Sequence, residues 1–201
     1  MADKYNSFVE LAAHETVGID YRLRVHTTKS TAVIIAPHGG EIEPGTSQIA
    51  EAIAGDEFSF YCFEGIKRDR PHGDLHITSA KFDEPEGCRL VANAEVVIAI
   101  HGRHDRDDRW NIWAGGMNSA LRDRIVAGLA NGGFPAVARK PGESLAGATP
   151  ANICNRGKTK GGVQLEIPRT LRDAFRVHAP RLEAFANAMR SSIHSYIAET
   201  G

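Results

Sequence analysis

The stretch Ala32-Val-Ile-Ile-Ala-Pro-His-Gly-Gly-Glu-Ile-Glu-Pro-Gly-Thr46 decides the expected fold. It opens with a continuous apolar run, which is typical of a central strand that is covered on both faces of a sheet. The run ends in His38, and the two glycines after it let the backbone turn sharply. Thr46 and Ser47 then suit the N-cap of a helix that continues to Ala54. The stretch therefore predicts a strand, a polar turn and a helix.

Two further apolar runs carry polar side chains at their ends. Val96-Val-Ile-Ala-Ile100 is followed by His101, and Val163-Gln-Leu-Glu-Ile167 contains Glu166. The expected strands cover residues 20–26, 31–37, 57–63, 96–100, 134–138 and 163–167, and the expected helices cover residues 5–13, 46–54, 84–93, 117–129 and 182–197. Strands that alternate with helices predict one α/β domain over residues 1–201, with a mainly parallel mixed sheet flanked by helices. Residues 140–160 lack periodicity, which predicts a loop near the mouth of an active site.

Composition limits the classes of function. The chain has 201 residues, 42% hydrophobic residues, 24% charged residues and a net charge of −1. This balance argues against a nucleic-acid or membrane binder, because either would show a basic excess. The three cysteines have no framework spacing, which indicates reduced thiols. The first residues lack an apolar segment, so we expect a cytoplasmic protein without a signal peptide, able to act outside the cell after lysis, and a monomer or small homo-oligomer.

The polar residues at the strand ends suggest a metal site. In an open parallel sheet, ligands bind at the carboxyl ends of the strands, so His38, His101 and Glu166 are expected to meet. Two histidines and a carboxylate form a catalytic Zn²⁺ site that keeps one position open. Both Glu41 and Glu43 lie at a spacing from His38 that allows the third ligand. The alternative for His38 and Glu43 is a strand–turn–helix junction with a pair of surface glutamates, and the alternative for His101 is a satisfied core histidine.

Glu166 is the candidate general base. A carboxylate inside an apolar strand is costly to bury unless it is paired or functional, and a nearby metal-activated water would provide the function. Arg169, two positions beyond the strand residue Ile167, is expected to pair with Glu166 or to bind a substrate carboxylate.

Other polar residues are candidate substrate contacts. Asn152 and Arg156 offer amide and guanidinium donors within the irregular loop. His76 is interpreted as a substrate contact. His72 and His76 are four residues apart, which could suit zinc on a helix, but Pro71 and Gly73 argue against a helix there.

Four motifs together resemble the poly-γ-glutamate hydrolase family of bacteriophages and bacilli. They are Pro37-His-Gly-Gly-Glu-Ile-Glu-Pro-Gly-Thr-Ser47, Ile100-His-Gly102, Asn152-Ile-Cys-Asn-Arg-Gly157 and Gly162-Val-Gln-Leu-Glu-Ile-Pro-Arg169. The resemblance spans residues 30–175 and implies a zinc hydrolase with a fold akin to zinc carboxypeptidases. It implies that His38, Glu43 and His101 hold the metal and that Glu166 is the base. Many members have glycine where this chain has Glu41, a departure that could weaken the binding of a polyanion.

The expected function is therefore zinc-dependent cleavage of γ-glutamyl amide bonds in an anionic polymer, with Arg169 and Arg156 neutralising the substrate's α-carboxylates. One alternative is a zinc amidohydrolase that acts on small N-acyl amino acids or peptidoglycan fragments. Another is a non-catalytic module that binds a metal or an anion. A serine hydrolase is disfavoured because the chain has no Gly-x-Ser-x-Gly motif.

Overall fold

The computed structural model describes residues 3–67, 72–106 and 108–200. Its strands are β1 (Tyr21–His26), β2 (Ala32–Gly40), β3 (Ser59–Gly65), β4 (Val96–Arg103), β5 (Ile112–Gly115), β6 (Ala136–Ala138) and β7 (Val163–Pro168). Its α-helices are α1 (Phe8–Ala12), α2 (Thr46–Ala54), α3 (Pro85–Asn93), α4 (Ser119–Asn131), α5 (Arg169–Val177) and α6 (Ala179–Thr200). Two 3-10 turns cover His72–Leu75 and Ile153–Arg156. Within the described residues, no helix is both long and apolar enough to cross a bilayer.

All seven strands belong to one sheet, in the order β1-β3-β2-β4-β7-β5-β6. The four central strands, β3, β2, β4 and β7, are parallel. β1 pairs antiparallel with β3, and the β5–β6 pair runs antiparallel to β7. This arrangement confirms the mainly parallel mixed sheet. It also places the carboxyl ends of β2, β4 and β7 side by side at one edge.

The two faces of the sheet carry different cores. On one face, Ile34, Ile98 and Leu165 pack under the helices α2, α4, α5 and α6. On the other face, Val33 and Val97 pack with aromatic residues, α3 and the 3-10 turn at Ile153–Arg156. Because side chains alternate along a strand, His101 and Glu166 extend the second face, which has fewer helices over it.

The sequence did not predict β5 or α5. β5 has only four residues, Ile112–Gly115, and such a short run cannot be recognised by its periodicity. α5 buries only Leu171, Arg172 and Phe175, and its many charged residues conceal that narrow apolar face. The predicted strand 134–138 shortens to Ala136–Ala138. Residues 140–160 are irregular as expected, apart from the 3-10 turn.

The expected N-caps of α2 have a different role. Gly45, with φ of 99°, occupies the N-cap position and has no side chain that could cap the helix. The Thr46 hydroxyl instead donates to the carbonyl of Glu43 at 2.8 Å, and the Ser47 hydroxyl accepts from the backbone N–H of Gly40 at 2.9 Å. These bonds fix the turn that carries Glu43.

Candidate metal centre

Three strand ends bring the predicted cluster to one edge of the sheet. His38 lies in β2, and His101 in β4 is the direct pairing partner of Glu166 in β7. Glu43 follows β2, and its backbone N–H donates to the carbonyl of His38 at 3.0 Å. All four side chains therefore converge, although they come from three separate segments of the chain.

The potential ligand atoms lie at distances that suit one small cation. Nδ1 of His38 is 3.1 Å from Nδ1 of His101 and 3.2 Å from Oε1 of Glu43. Nδ1 of His101 is 3.7 Å from Oε2 of Glu43. Two ligand nitrogens on one tetrahedral zinc ion, each at about 2.0–2.1 Å, lie about 3.3 Å apart. The donor set and its spacing therefore fit zinc.

Outer hydrogen bonds orient both imidazoles. Nε2 of His38 donates to the carbonyl of Ile77 at 2.8 Å, and Nε2 of His101 lies 3.3 Å from the hydroxyl of Ser79. A carbonyl oxygen only accepts, so Nε2 of His38 carries a proton, and Nδ1 is the ring nitrogen whose lone pair can bind a metal. Such partners commonly fix the tautomer of metal-binding histidines.

The two carboxylates have opposite electrostatic environments. Burial raises the pKa of Glu43, but the charge of His38 and hydrogen bonds with both histidines outweigh it, and this pKa falls well below its ordinary value. Burial, and then the charge of Glu43, raise the pKa of Glu166 well above its ordinary value. Glu43 is thus suited to remain an anionic ligand, whereas the carboxylate of Glu166 is the more basic of the two.

Glu166 is held by a chain of amide hydrogen bonds. Nε2 of Gln164 donates to Oε1 of Glu166 at 3.0 Å and to the carbonyl of Leu145 at 2.9 Å. The amide of Asn152 donates to Oε1 of Gln164 at 2.8 Å. The predicted substrate contact Asn152 therefore acts through Gln164 to link the irregular loop to Glu166.

His76 lies against the cluster. Its ring centroid is 4.1 Å from that of His38, and ligand atoms of His38, Glu43 and His76 lie within 4.8 Å of one another. Nδ1 of His76 is 2.7 Å from Asp3, which also accepts from the backbone N–H of Thr78 at 2.9 Å. Burial and the charge of His38 lower the pKa of His76 to about 4. A neutral ring with Nδ1 on Asp3 leaves Nε2 for another partner.

His72 and His76 would suit zinc only if they lay on one α-helix. Residues His72–Leu75 form a 3-10 turn instead. This agrees with the expectation from Pro71 and Gly73. The side chain of His72 and the whole of Pro71 lie outside the described residues.

Arg156 uses its guanidinium to hold backbone. It donates to the carbonyls of Phe82 at 2.7 Å, Ala151 at 2.8 Å, Ala80 at 3.0 Å and Ser79 at 3.3 Å. These bonds fix the segment that presents the Ser79 hydroxyl to the metal centre. Its expected contact with a substrate stays a prediction.

Arg169 begins α5 directly after β7. It pairs with Asp173 one turn later, with Nε 2.8 Å from Oδ2, and both side chains are about half exposed, at 45% and 46%. The guanidinium of Arg169 is thus bonded to Asp173 in the described contacts, and not to Glu166 as the alternative expectation had it.

Sequence reasoning missed a buried arginine next to the site. Arg172 donates to the carbonyls of Ile167 and Arg103, each at 3.1 Å, and to that of Pro44. It therefore ties the ends of β4 and β7 to the turn that carries Glu43. A Cβ atom on Gly102 would lie 2.5 Å from Cζ of Arg172, so a side chain there would displace this guanidinium.

Sequence reasoning also missed Trp113. It pairs directly with Glu166 across β5 and β7. The guanidinium carbons of Arg103 and Arg139 lie 4.0 Å and 4.4 Å from its ring centroid. No motif carries this cluster, because only the register of the short strand β5 brings it to the site.

Comparison with known proteins identifies the family. Residues 5–197 match the poly-gamma-glutamate hydrolase family. The chain belongs to this family. The resemblance that the four motifs carry is thereby confirmed, and the chain is a member of a family of hydrolases.

Individual relatives agree with this assignment. The bacteriophage poly-gamma-glutamate hydrolase structure is 29% identical, with a TM-score of 0.90 over 98% of this chain and 99% of that one. The UPF0714 protein YndL of Bacillus subtilis is 38% identical over 86% of this chain and 67% of its own length. A solved structure of YndL, described as apo and zinc-free, has a TM-score of 0.89, is 33% identical, and covers 96% of this chain and 98% of that one.

A more distant likeness extends to the fold alone. The N-formylglutamate amidohydrolase of Ralstonia eutropha is 12% identical, with a TM-score of 0.60 over 90% of this chain and 99% of that chain. The α/β architecture expected from the sequence is therefore shared with hydrolases beyond the family.

Proposed function

We propose that this family member is a zinc-dependent hydrolase that cleaves γ-glutamyl amide bonds of poly-γ-glutamate. The observation that carries the proposal is the convergence of His38, Glu43 and His101 at mutual distances of 3.1–3.7 Å, with Glu166 paired directly with His101. The match to the poly-gamma-glutamate hydrolase family supports the choice of substrate.

We assign the zinc to Nδ1 of His38, Nδ1 of His101 and the carboxylate of Glu43. Zinc in such a site supplies Lewis acidity toward water and toward the scissile carbonyl. Glu166 accepts the proton of the attacking water and passes it to the leaving amine. Gln164 holds Oε1 of Glu166, which leaves Oε2 to face the reacting water.

Two kinds of side chain contribute to substrate binding: those that contact the substrate and those that position the contacting residues. Arg169 is half exposed, so a substrate α-carboxylate can compete with Asp173 for its guanidinium. His76 offers Nε2 to the substrate beside the metal. Asn152 and Arg156 support Glu166 and Ser79 from behind and contribute to binding through these residues.

Chain length provides the test of function. Purified protein is incubated with poly-γ-glutamate, with a chelator, and with chelator followed by excess zinc, and the polymer is sized by gel filtration. We expect shortening that the chelator abolishes and that zinc restores. Unchanged polymer in the zinc-restored sample would contradict the proposed substrate. Shortening that persists with the chelator would contradict the metal.

A further inference from the structure

We propose that Arg139, whose guanidinium lies over the ring of Trp113, binds a carboxylate of the substrate beside Glu166. The inference rests on the proposed function, and it assigns to one residue the recognition of the negative charge that distinguishes a γ-glutamyl chain. It concerns the part of the sheet formed by β5 and β6, which the metal centre does not use.

The strand register places Trp113 beside the reacting groups. His101 pairs with Glu166, and Glu166 pairs with Trp113 on its other side. Directly paired residues on one face of a sheet have Cβ atoms about 4.5–5.5 Å apart. His101, Glu166 and Trp113 therefore form one row across the sheet, from the proposed zinc ligand to the indole ring.

Two arginines flank this ring. Arg103 lies two residues beyond His101, level with Pro168, whereas Arg139 follows β6 on the opposite side of the row. Their guanidinium carbons lie 4.0 Å and 4.4 Å from the ring centroid of Trp113. These are cation–π distances, so the ring attracts and helps to position both cations.

The indole is itself fixed in place. Its Nε1 donates to Oδ2 of Asp108 at 2.8 Å. Oδ1 of Asp108 accepts from the backbone N–H groups of Asn111 at 2.9 Å and of Trp110 at 3.2 Å. The ring therefore acts as a rigid support, and a guanidinium held over it loses little further freedom when it binds an anion.

The two flanking arginines differ in their free hydrogen-bonding capacity. Arg103 is buried, and its two terminal nitrogens donate to the carbonyls of His104, Asp105 and Asn111, so it anchors the adjoining loop. Arg139 keeps 19% of its side chain exposed, and within the described residues its only hydrogen bond from the guanidinium is to the carbonyl of Ser144 at 3.3 Å.

The terminal nitrogens of Arg139 thus keep most of their donors available for a ligand. Its Nε is buried and, like Nε of Arg103, has no hydrogen-bond partner in the described structure, and Oε2 of Glu143 lies 3.6 Å from it, beyond hydrogen-bonding distance. An exposed ion pair of this length is weak, so a substrate carboxylate can displace it. A planar guanidinium can then grip that carboxylate with two parallel hydrogen bonds.

Matched substrates test this assignment. We would compare a short γ-linked glutamate oligomer with the same oligomer whose α-carboxylates are converted to carboxamides. The proteins are wild type, Arg139→Gln, Arg139→Lys and the control Arg89→Gln. Arg89 pairs with Glu86 on the surface of α3, so its replacement changes the net charge equally.

We expect Arg139→Gln to raise KM for the carboxylate oligomer about tenfold, with kcat little changed, because one charge-assisted pair is lost. KM for the carboxamide oligomer should stay as in wild type. Arg139→Lys should lie between the two, since lysine keeps the charge but loses the planar fork. Arg89→Gln should resemble wild type with both substrates.

The result that overturns the assignment is an unchanged KM for the carboxylate oligomer in Arg139→Gln, or an equal loss with both oligomers. Wild-type protein that cleaves neither oligomer would instead contradict the proposed function. In that case, binding of the oligomers is measured without turnover, by the fluorescence of Trp113 in proteins that also carry Trp110→Phe. Weaker binding of the carboxylate oligomer alone in Arg139→Gln would still support the subsite, and equal binding would exclude it.

Discussion

The carboxyl ends of β2, β4 and β7 differ from the β5–β6 end of the sheet in how they place polar groups. At the strand ends, His38, His101 and Glu166 follow or end long apolar runs, and their own strands carry them to one point. At the other end, Trp113 lies in a strand of four residues and Arg139 directly follows a strand of three, and pairing register brings both to the site.

This difference separates two tasks. The strand ends hold groups whose geometry must be rigid, because the proton acceptor has to lie within hydrogen-bonding reach of the water that attacks beside the metal. The β5–β6 end holds a guanidinium that is 19% exposed and lies over an aromatic ring, which suits recognition of a charged polymer. We therefore expect replacements at the strand ends to abolish turnover and replacements at the β5–β6 end to weaken substrate binding.

The largest effect is expected from His101→Ala. Loss of a ligand nitrogen should lower zinc affinity by more than about 100-fold, beyond the loss typical of outer hydrogen-bond partners, and should abolish turnover. Zinc affinity is measured by competition with a fluorescent chelator. His26→Ala, at the exposed end of β1, is the control and should bind zinc as wild type does. Retained affinity in His101→Ala would remove His101 from the ligand set.

Gly102→Ala tests the packing around the same strand end. The new methyl group would meet the Arg172 guanidinium, which ties β4 to the turn that carries Glu43. Overpacking of this kind costs about 1–3 kcal/mol in the free energy of unfolding, which denaturant titration measures. Gly161→Ala is the control, because its Cβ atom would meet no heavy atom closer than 3.4 Å. Equal stability of the two variants would contradict the role of Arg172.

These strand-end features could largely be predicted from the sequence. His38 and His101 follow apolar runs whose period and length indicate central strands, and the topology rule then unites them. Ser79 and Asp3 could not be predicted, because each lies in irregular backbone and meets its histidine only after folding. Trp113 depends on a strand too short to show periodicity.

Gln164→Leu should have an intermediate effect. The change removes the amide that holds Oε1 of Glu166 and breaks the link to Asn152. We expect kcat to fall about 10–100-fold while zinc affinity is kept, as for other supporting partners of a metal site. Gln48→Leu on the exposed side of α2 is the control. A zinc affinity that fell together with kcat would indicate a general disruption of the site.

The smallest effect is expected from Arg169→Gln. Its guanidinium is half exposed and shared with Asp173, so its contribution to binding a carboxylate should be less than about fivefold in KM. Arg139→Gln, assayed with the same oligomer, should exceed it. The reverse order would transfer the main carboxylate contact from the β5–β6 end to α5.

The central claim is that two carboxylates at the same strand ends divide the chemistry, with Glu43 holding zinc and Glu166 moving the proton. The most direct test compares Glu43→Gln with Glu166→Gln for zinc content and turnover. We predict that Glu43→Gln loses both, whereas Glu166→Gln keeps stoichiometric zinc and loses about 10²–10⁴-fold in kcat. Near-wild-type turnover in Glu166→Gln, or full zinc retention in Glu43→Gln, would contradict the account.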